Sequence, residues 1–174
     1  MEYVFYLGLG AVSGLISGLF GLGGGAIIVP LLIFAFAAQG ISPEIVTHLA
    51  IGTSLATIIV TSLSSIYTHH QKDAIRWDLV MRIAPGIILG SVLGGVFAIS
   101  LEGIFLQLMF GGFMIFIGLQ MLFYKVVSAQ RPPPAAAVLA AAGTGIGGIS
   151  ALFGIGGGSL TTPFLTHVGI KIHQ

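Results

Sequence analysis

Charged residues make up only 6% of this 174-residue chain, and they gather at a few points. Between them lie apolar blocks of about membrane-spanning length, roughly 17–25 residues each. A soluble domain carries about a quarter charged residues, so this pattern and a mean hydropathy of +1.09 exclude one. The chain is expected to be an all-α integral membrane protein. Ile45–Tyr67, Leu79–Ile99 and Ile104–Tyr124 have the length and composition of transmembrane helices. Two further blocks, Tyr3–Ala38 and Ala135–Val168, are too long for one straight span.

Both long blocks are interrupted by the same phrase. Leu19-Phe20-Gly21-Leu22-Gly23-Gly24-Gly25 precedes Pro30, and Leu152-Phe153-Gly154-Ile155-Gly156-Gly157-Gly158 precedes Pro163 at the same spacing. The copies align further, Gly14 with Gly147 and Ser17 with Ser150, and after a short gap Gly40-Ile41 with Gly169-Ile170. A repeated, glycine-broken apolar segment points to internal duplication around a central transport site. The expected organisation is a first repeat over residues 1–131, a broken segment plus three spans, and the start of a second over 132–174. The second copy stops where the counterpart of His48–Ser54 should begin, so a truncated second repeat, and a chain that is a fragment of a longer transporter, is expected.

Charge placement suggests the topology. Five of the six Lys and Arg residues are Lys72, Arg76, Arg82, Lys125 and Arg131. The positive-inside rule assigns both clusters to the cytoplasm, and the two spans between them agree. The arm Ala26–Ala38 would measure about 20 Å as a helix, short of a hydrocarbon core of about 30 Å. Each broken segment therefore reads as a re-entrant hairpin, the first entering from outside and the second from inside, which makes the repeat inverted; a broken helix that crosses once in each copy is the alternative. Met1-Glu2-Tyr3 lacks the basic start of a cleavable signal. Without cysteine there are no disulfides or thiolate metal sites, and a net charge of +1 leaves no basic face for nucleic acid.

Unwound backbone inside a bilayer persists only where protein or a water-filled cavity satisfies it. New helices are expected near Ala26 and Ser159, with unpaired N–H groups and positive dipole ends facing the glycines. Gly23, Gly24, Gly25, Gly156, Gly157 and Gly158 are thus candidates for binding an anion, with Pro30 and Pro163 as candidate helix breaks. Thr53, Ser54 and Thr161 could add hydroxyl donors without a competing negative charge. The alternative for these hydroxyls is back-bonding to the preceding turn, or gluing helices together. His48 is the one titratable side chain beside that hydroxyl stripe and is a candidate for proton coupling; an interfacial structural role competes with it. His69 and His70 form only a weak metal signal, and no metal or cofactor is expected. The ladders Gly10/Gly14/Gly18, Gly86/Gly90/Gly94 and Gly143/Gly147 read as helix-packing stripes. Gly21-x-Gly23-x-x-Ala26 fits a loose dinucleotide fingerprint, but it follows a membrane-length block rather than a strand. No enzymatic constellation is apparent.

The glycine phrase with Pro30, the string Ala50-Ile51-Gly52-Thr53-Ser54, and the second phrase at Gly154–Pro163 together resemble the sulfite exporter TauE/SafE family of membrane permeases. The resemblance extends over essentially the whole chain. It implies a cell-membrane, multi-pass protein of two related halves that moves sulfite, organosulfonates and related sulfur anions. The expected function is therefore a secondary permease or exporter of small sulfur-containing anions or related oxyanions, partnered by its substrate and the lipid bilayer. The sequence leaves open homo-oligomerisation and the reading as a non-transporting membrane scaffold or accessory subunit.

Overall fold

A computed structural model describes residues 2–20, 24–72, 77–123 and 135–167. All its regular structure is helical: α1 Glu2–Phe20, α2 Gly25–Ala38, α3 Pro43–Gln71, α4 Trp77–Ser100, α5 Gly103–Phe123, α6 Ala136–Phe153 and α7 Gly158–His167. Four of these, α3 to α6, are long and apolar enough to cross a membrane. The three expected spans are all present: α3 and α4 run one to four residues beyond the expected bounds at each end, and α5 starts one residue earlier than expected and is described to Phe123.

Local chemistry explains the helix ends. At the start of α3, Ser42 accepts a hydrogen bond from the Glu44 N–H, Pro43 fills the first helical position, and Glu44 lies in the first turn. All three suit the exposed N–H groups and positive dipole of a helix start. α2 ends where Gly40 takes a left-handed φ of 80°, which lets Ile41 N–H reach back to Phe36 O and Gly40 N–H to Ala37 O. The prolines do not mark the breaks. Pro30 lies inside α2 and Pro163 falls within α7, whereas both helices begin at glycines upstream of them. An interior proline removes one N–H bond; the surrounding helix here accommodates that loss.

α4 and α6 form the tightest pair. A Cβ added at Gly86, Gly90 or Gly94 would lie 2.0, 2.0 and 2.3 Å from the carbonyl oxygens of Ala140, Thr144 and Gly148. Reciprocally, Gly143 and Gly147 press on the Ile83 and Ile87 carbonyls. Two expected packing ladders are thus one interface, where missing side chains bring backbones together. Its register rises in step on both helices, so α4 and α6 are parallel. They begin at the same end of the bundle, consistent with the shared side expected for the two basic segments, whose residues 73–76 and 124–134 lie outside the described residues. The third ladder behaves differently: Gly10, Gly14 and Gly18 have nothing within 4 Å of an added Cβ among the described residues.

The broken segments approach the bundle from opposite ends. Tyr6 of α1 packs against Phe36 and is hydrogen-bonded by the Gln39 amide, so α1 and α2 run antiparallel, with the start of α1 beside the end of α2. That end lies where α3 starts, where α4 finishes (His48 reaches Ala98 O), and where Gly103 of α5 meets Glu44 O. α7 instead folds back along α6. Gly157 lies by Ile146, and Phe164 packs on the cluster of Leu79, Ile83 and Leu139 at the opposite end. The main core, built on Val29, Ala50, Ile51, Leu106, Phe153 and Ile155, sits between the two.

Candidate transport site

The second glycine phrase is built as a stop, a turn and a restart. α6 ends on Gly154, whose φ of 66° belongs to the left-handed region, and Ile155 N–H bonds back to Ser150 O at 3.2 Å. This cap satisfies a carbonyl left open by the end of the helix, and glycine adopts its geometry without a Cβ penalty. Gly156 repeats the left-handed conformation at φ 71°. α7 then starts, with Thr161 N–H bonded to Gly157 O at 2.8 Å. Side chains of the preceding turn fix the position of the stop. Phe153 stacks on Phe113 at 4.9 Å and meets Phe110 edge-on at 5.9 Å, while Ile155 is fully buried.

The turn lies against the interior of α3. Gly154 contacts Ile51, and Gly156 contacts Ile58. The start of α2 meets it there: a Cβ on Gly25 would stand 2.0 Å from Gly154 O and 2.5 Å from Ile155 Cα. The two glycine phrases therefore touch, backbone to backbone. α2 has no side-chain N-cap, and Gly25 and Ala26 are buried. Its first-turn N–H groups, which find no acceptor among the described residues, and its positive dipole end thus sit inside the bundle beside the second break.

The individual candidates differ in what they can offer a ligand. Gly23 lies outside the described residues. Among the described residues, Gly24 and Gly157 have only ordinary contacts around an added Cβ, and Gly158 has none within 4 Å. The Thr161 hydroxyl lies beside Gly157. Ser54 is fully buried and donates to Gly154 O at 2.7 Å; a hydroxyl has one proton, so this one is committed to holding the second break against α3. Thr53 Oγ1 donates to Leu49 O at 2.7 Å and Thr57 Oγ1 to Ser54 O at 2.7 Å, which is the back-bonding alternative. His48 Nε2 lies 3.1 Å from Ala98 O; a carbonyl only accepts, so Nε2 carries the proton in this contact.

Two hydroxyls escaped sequence reasoning. Thr47 Oγ1 and Ser150 Oγ are buried without a hydrogen-bond partner among the described residues, each one helical turn before a residue at the meeting point, Ile51 and Gly154. Ser150 was visible only as the match of Ser17, and nothing in the local sequence of Thr47 distinguished it. A cavity of about 380 Å³ opens between α1, α2 and α3, running from Tyr6 and Phe36 to Ile28 and Thr57, close to the start of α2.

Ser54→Ala should show what the Ser54–Gly154 bond contributes to holding the second break. It strips Gly154 O of its buried donor, an effect of about 1–3 kcal/mol. A lowered unfolding midpoint in detergent is expected, with Thr53→Ala nearly neutral; equal midpoints for the two variants would show that the Ser54 bond does not hold the break.

Long apolar spans with two broken segments meeting among them define a helical, multi-pass membrane protein. Residues 6–174 match the family model described as sulfite exporter TauE/SafE, and the chain belongs to that family, one of transporters rather than enzymes. It is 34% identical over 171 residues to a probable membrane transporter protein of Haemophilus influenzae, an alignment covering 95% of this chain and 63% of that protein. It is 30% identical to the probable membrane transporter protein YunE of Bacillus subtilis, covering 94% and 67%. A probable membrane transporter protein of Methanocaldococcus jannaschii is also 30% identical, with 90% and 59% covered. No solved structure matches the chain.

Proposed function

We propose that the chain works in a secondary permease that moves small sulfur-containing anions, sulfite or organosulfonates, or related oxyanions. The observation that carries this reading is the start of α2, which has no side-chain cap among the described residues and is buried against Gly154 and Ile155. Buried N–H groups at a helix start favour an anion, and their placement at a break in the apolar bundle is the arrangement from which transporters build central sites. The family supports the transport activity. The substrate proposal rests on the chemistry of the break, where neutral N–H donors meet no carboxylate among the described residues.

In this proposal Gly24, Gly25, Gly156, Gly157 and Gly158 supply backbone contacts, with Gly23 as their neighbour, and Thr161 lines the second tip. Ser54 positions the break, and Thr53 borders the cavity leading to it. Thr47 and Ser150, whose hydroxyls have no partner among the described residues, keep a proton to donate to a ligand, whereas that of Ser54 is committed to Gly154 O. His48 stays the proposed proton-coupling group. The matching phrases and the opposite approach of α1–α2 and α6–α7 support an inverted repeat over residues 1–131 and 132–174, in which rocking of the halves alternates access.

The test is flux in proteoliposomes holding the natural polypeptide, with sulfite and an alkyl sulfonate supplied separately. Gly24→Ala and Gly157→Ala are suitable probes because neither Cβ meets backbone. Both should remain folded and lose most flux. Folded wild-type protein that moves no oxyanion would overturn the permease in favour of the scaffold, and undiminished flux in both variants would remove the anion from the glycine tips.

A further inference from the structure

We propose that the Gly10/Gly14/Gly18 face of α1 is the seat of a glycine-laddered helix of the α4 kind, supplied by a second repeat. The inference rests on the repeat reading above and is independent of the substrate. α1 and α6 correspond at one constant offset: Gly10 with Gly143, Gly14 with Gly147, Ser17 with Ser150, and Phe20 with Phe153. On one side the two helices are buried alike, at Ser13 and Ile146 and at Ser17 and Ser150. On the glycine side they differ. A Cβ on Gly143 or Gly147 would meet the backbone of α4, whereas one on Gly10, Gly14 or Gly18 would meet nothing within 4 Å among the described residues.

The uncovered face is continuous. Leu7, one turn before Gly10 and Ala11, is 74% exposed and corresponds to Ala140, whose carbonyl meets Gly86 of α4. A repeat that places α6 on α4 across the halves requires the reciprocal contact, α1 on the second repeat's counterpart of α4. Another copy of residues 1–174 does not offer that helix, because its own α4 ladder is already filled by α6. The Haemophilus influenzae relative, of which this chain spans 63%, has further sequence in which such a helix can lie. In a bilayer the pairing is driven by close backbone packing rather than by apolar burial, so the face need not be more polar than its surroundings.

Site-specific photocrosslinking tests this in the natural polypeptide, in membranes of the cells that make it. Benzoylphenylalanine in place of Leu7 should form an adduct that maps, by peptide sequencing, to a helix with glycines at four-residue spacing outside residues 1–174. The same probe at Val12, which is exposed on another face, should label lipid. Gly14→Leu should lower the Leu7 adduct yield about tenfold by obstructing close approach, while Gly8→Leu leaves it unchanged. An adduct to another copy of residues 1–174, to lipid alone, or to a helix without the ladder overturns the proposal, and the unsubstituted Gly14 protein decides among these even if Gly14→Leu fails to accumulate. Lipid-only adducts from a protein that still carries sulfite would overturn this contact and leave the permease reading intact; the expected adduct from a protein without flux would do the reverse.

Discussion

Gly25→Ala should dismantle the meeting of the two glycine phrases while leaving the helices themselves formed. The new methyl would fall 2.0 Å from Gly154 O, 2.8 Å from Gly154 C and 2.5 Å from Ile155 Cα. All three are backbone atoms, so no side chain can rotate away. α2 must move off the break or the break must shift, and Gly154 O is also the acceptor of the Ser54 bond. Overpacking of this kind costs about 1–3 kcal/mol or more, and at about 2–4 °C per kcal/mol for a chain of this size the unfolding midpoint should fall by roughly 5–10 °C. Alanine favours helix over glycine, so far-UV circular dichroism should be unchanged. Gly24→Ala is the control: its Cβ would lie 3.5 Å from Ile28 Cδ1, an ordinary contact. A Gly25→Ala protein as stable as Gly24→Ala would mean that the phrases do not touch.

The α4–α6 interface should be equally intolerant. Gly90→Ala places a methyl 2.0 Å from Thr144 O and 2.9 Å from Gly148 N, in a contact with backbone on both sides. Because the helices lack an apolar driving force for association in lipid, forcing them apart forfeits much of what joins them. A midpoint loss comparable to that of Gly25→Ala is expected. Gly95→Ala, five residues on and with nothing within 4 Å of its Cβ, should stay within about 0.5 kcal/mol of wild type. Thermal unfolding of the two variants in one detergent distinguishes them, and equal stability would contradict the ladder.

The spans and the breaks were legible because each follows from local chemistry. Membrane-length apolar runs cannot be soluble helices, and a glycine cluster inside one invites a stop. The partner of each ladder was not legible. Gly10/Gly14/Gly18 and Gly86/Gly90/Gly94 have the same spacing, yet only the second is filled here, since spacing records which residues share a face and not what lies opposite. The prolines misled for a related reason: Pro30 sits in a helix whose start is set upstream, at Gly25. Thr53 and Ser54 show the finest limit. Adjacent residues on a helix point about 100° apart, so one bonds to its own helix and the other crosses to Gly154.

The sequence by itself determined that this chain lives in a membrane, where its spans lie, and that two similar glycine phrases interrupt its apolar blocks. Those properties depend on side-chain hydropathy and on the backbone freedom of individual residues. Tertiary structure decided that Gly25 meets Gly154, that α4 and α6 share one ladder, and that Ser54 spends its proton on a carbonyl. Such contacts join residues far apart in the chain, and they are set by which backbones approach closely enough to exclude a methyl group.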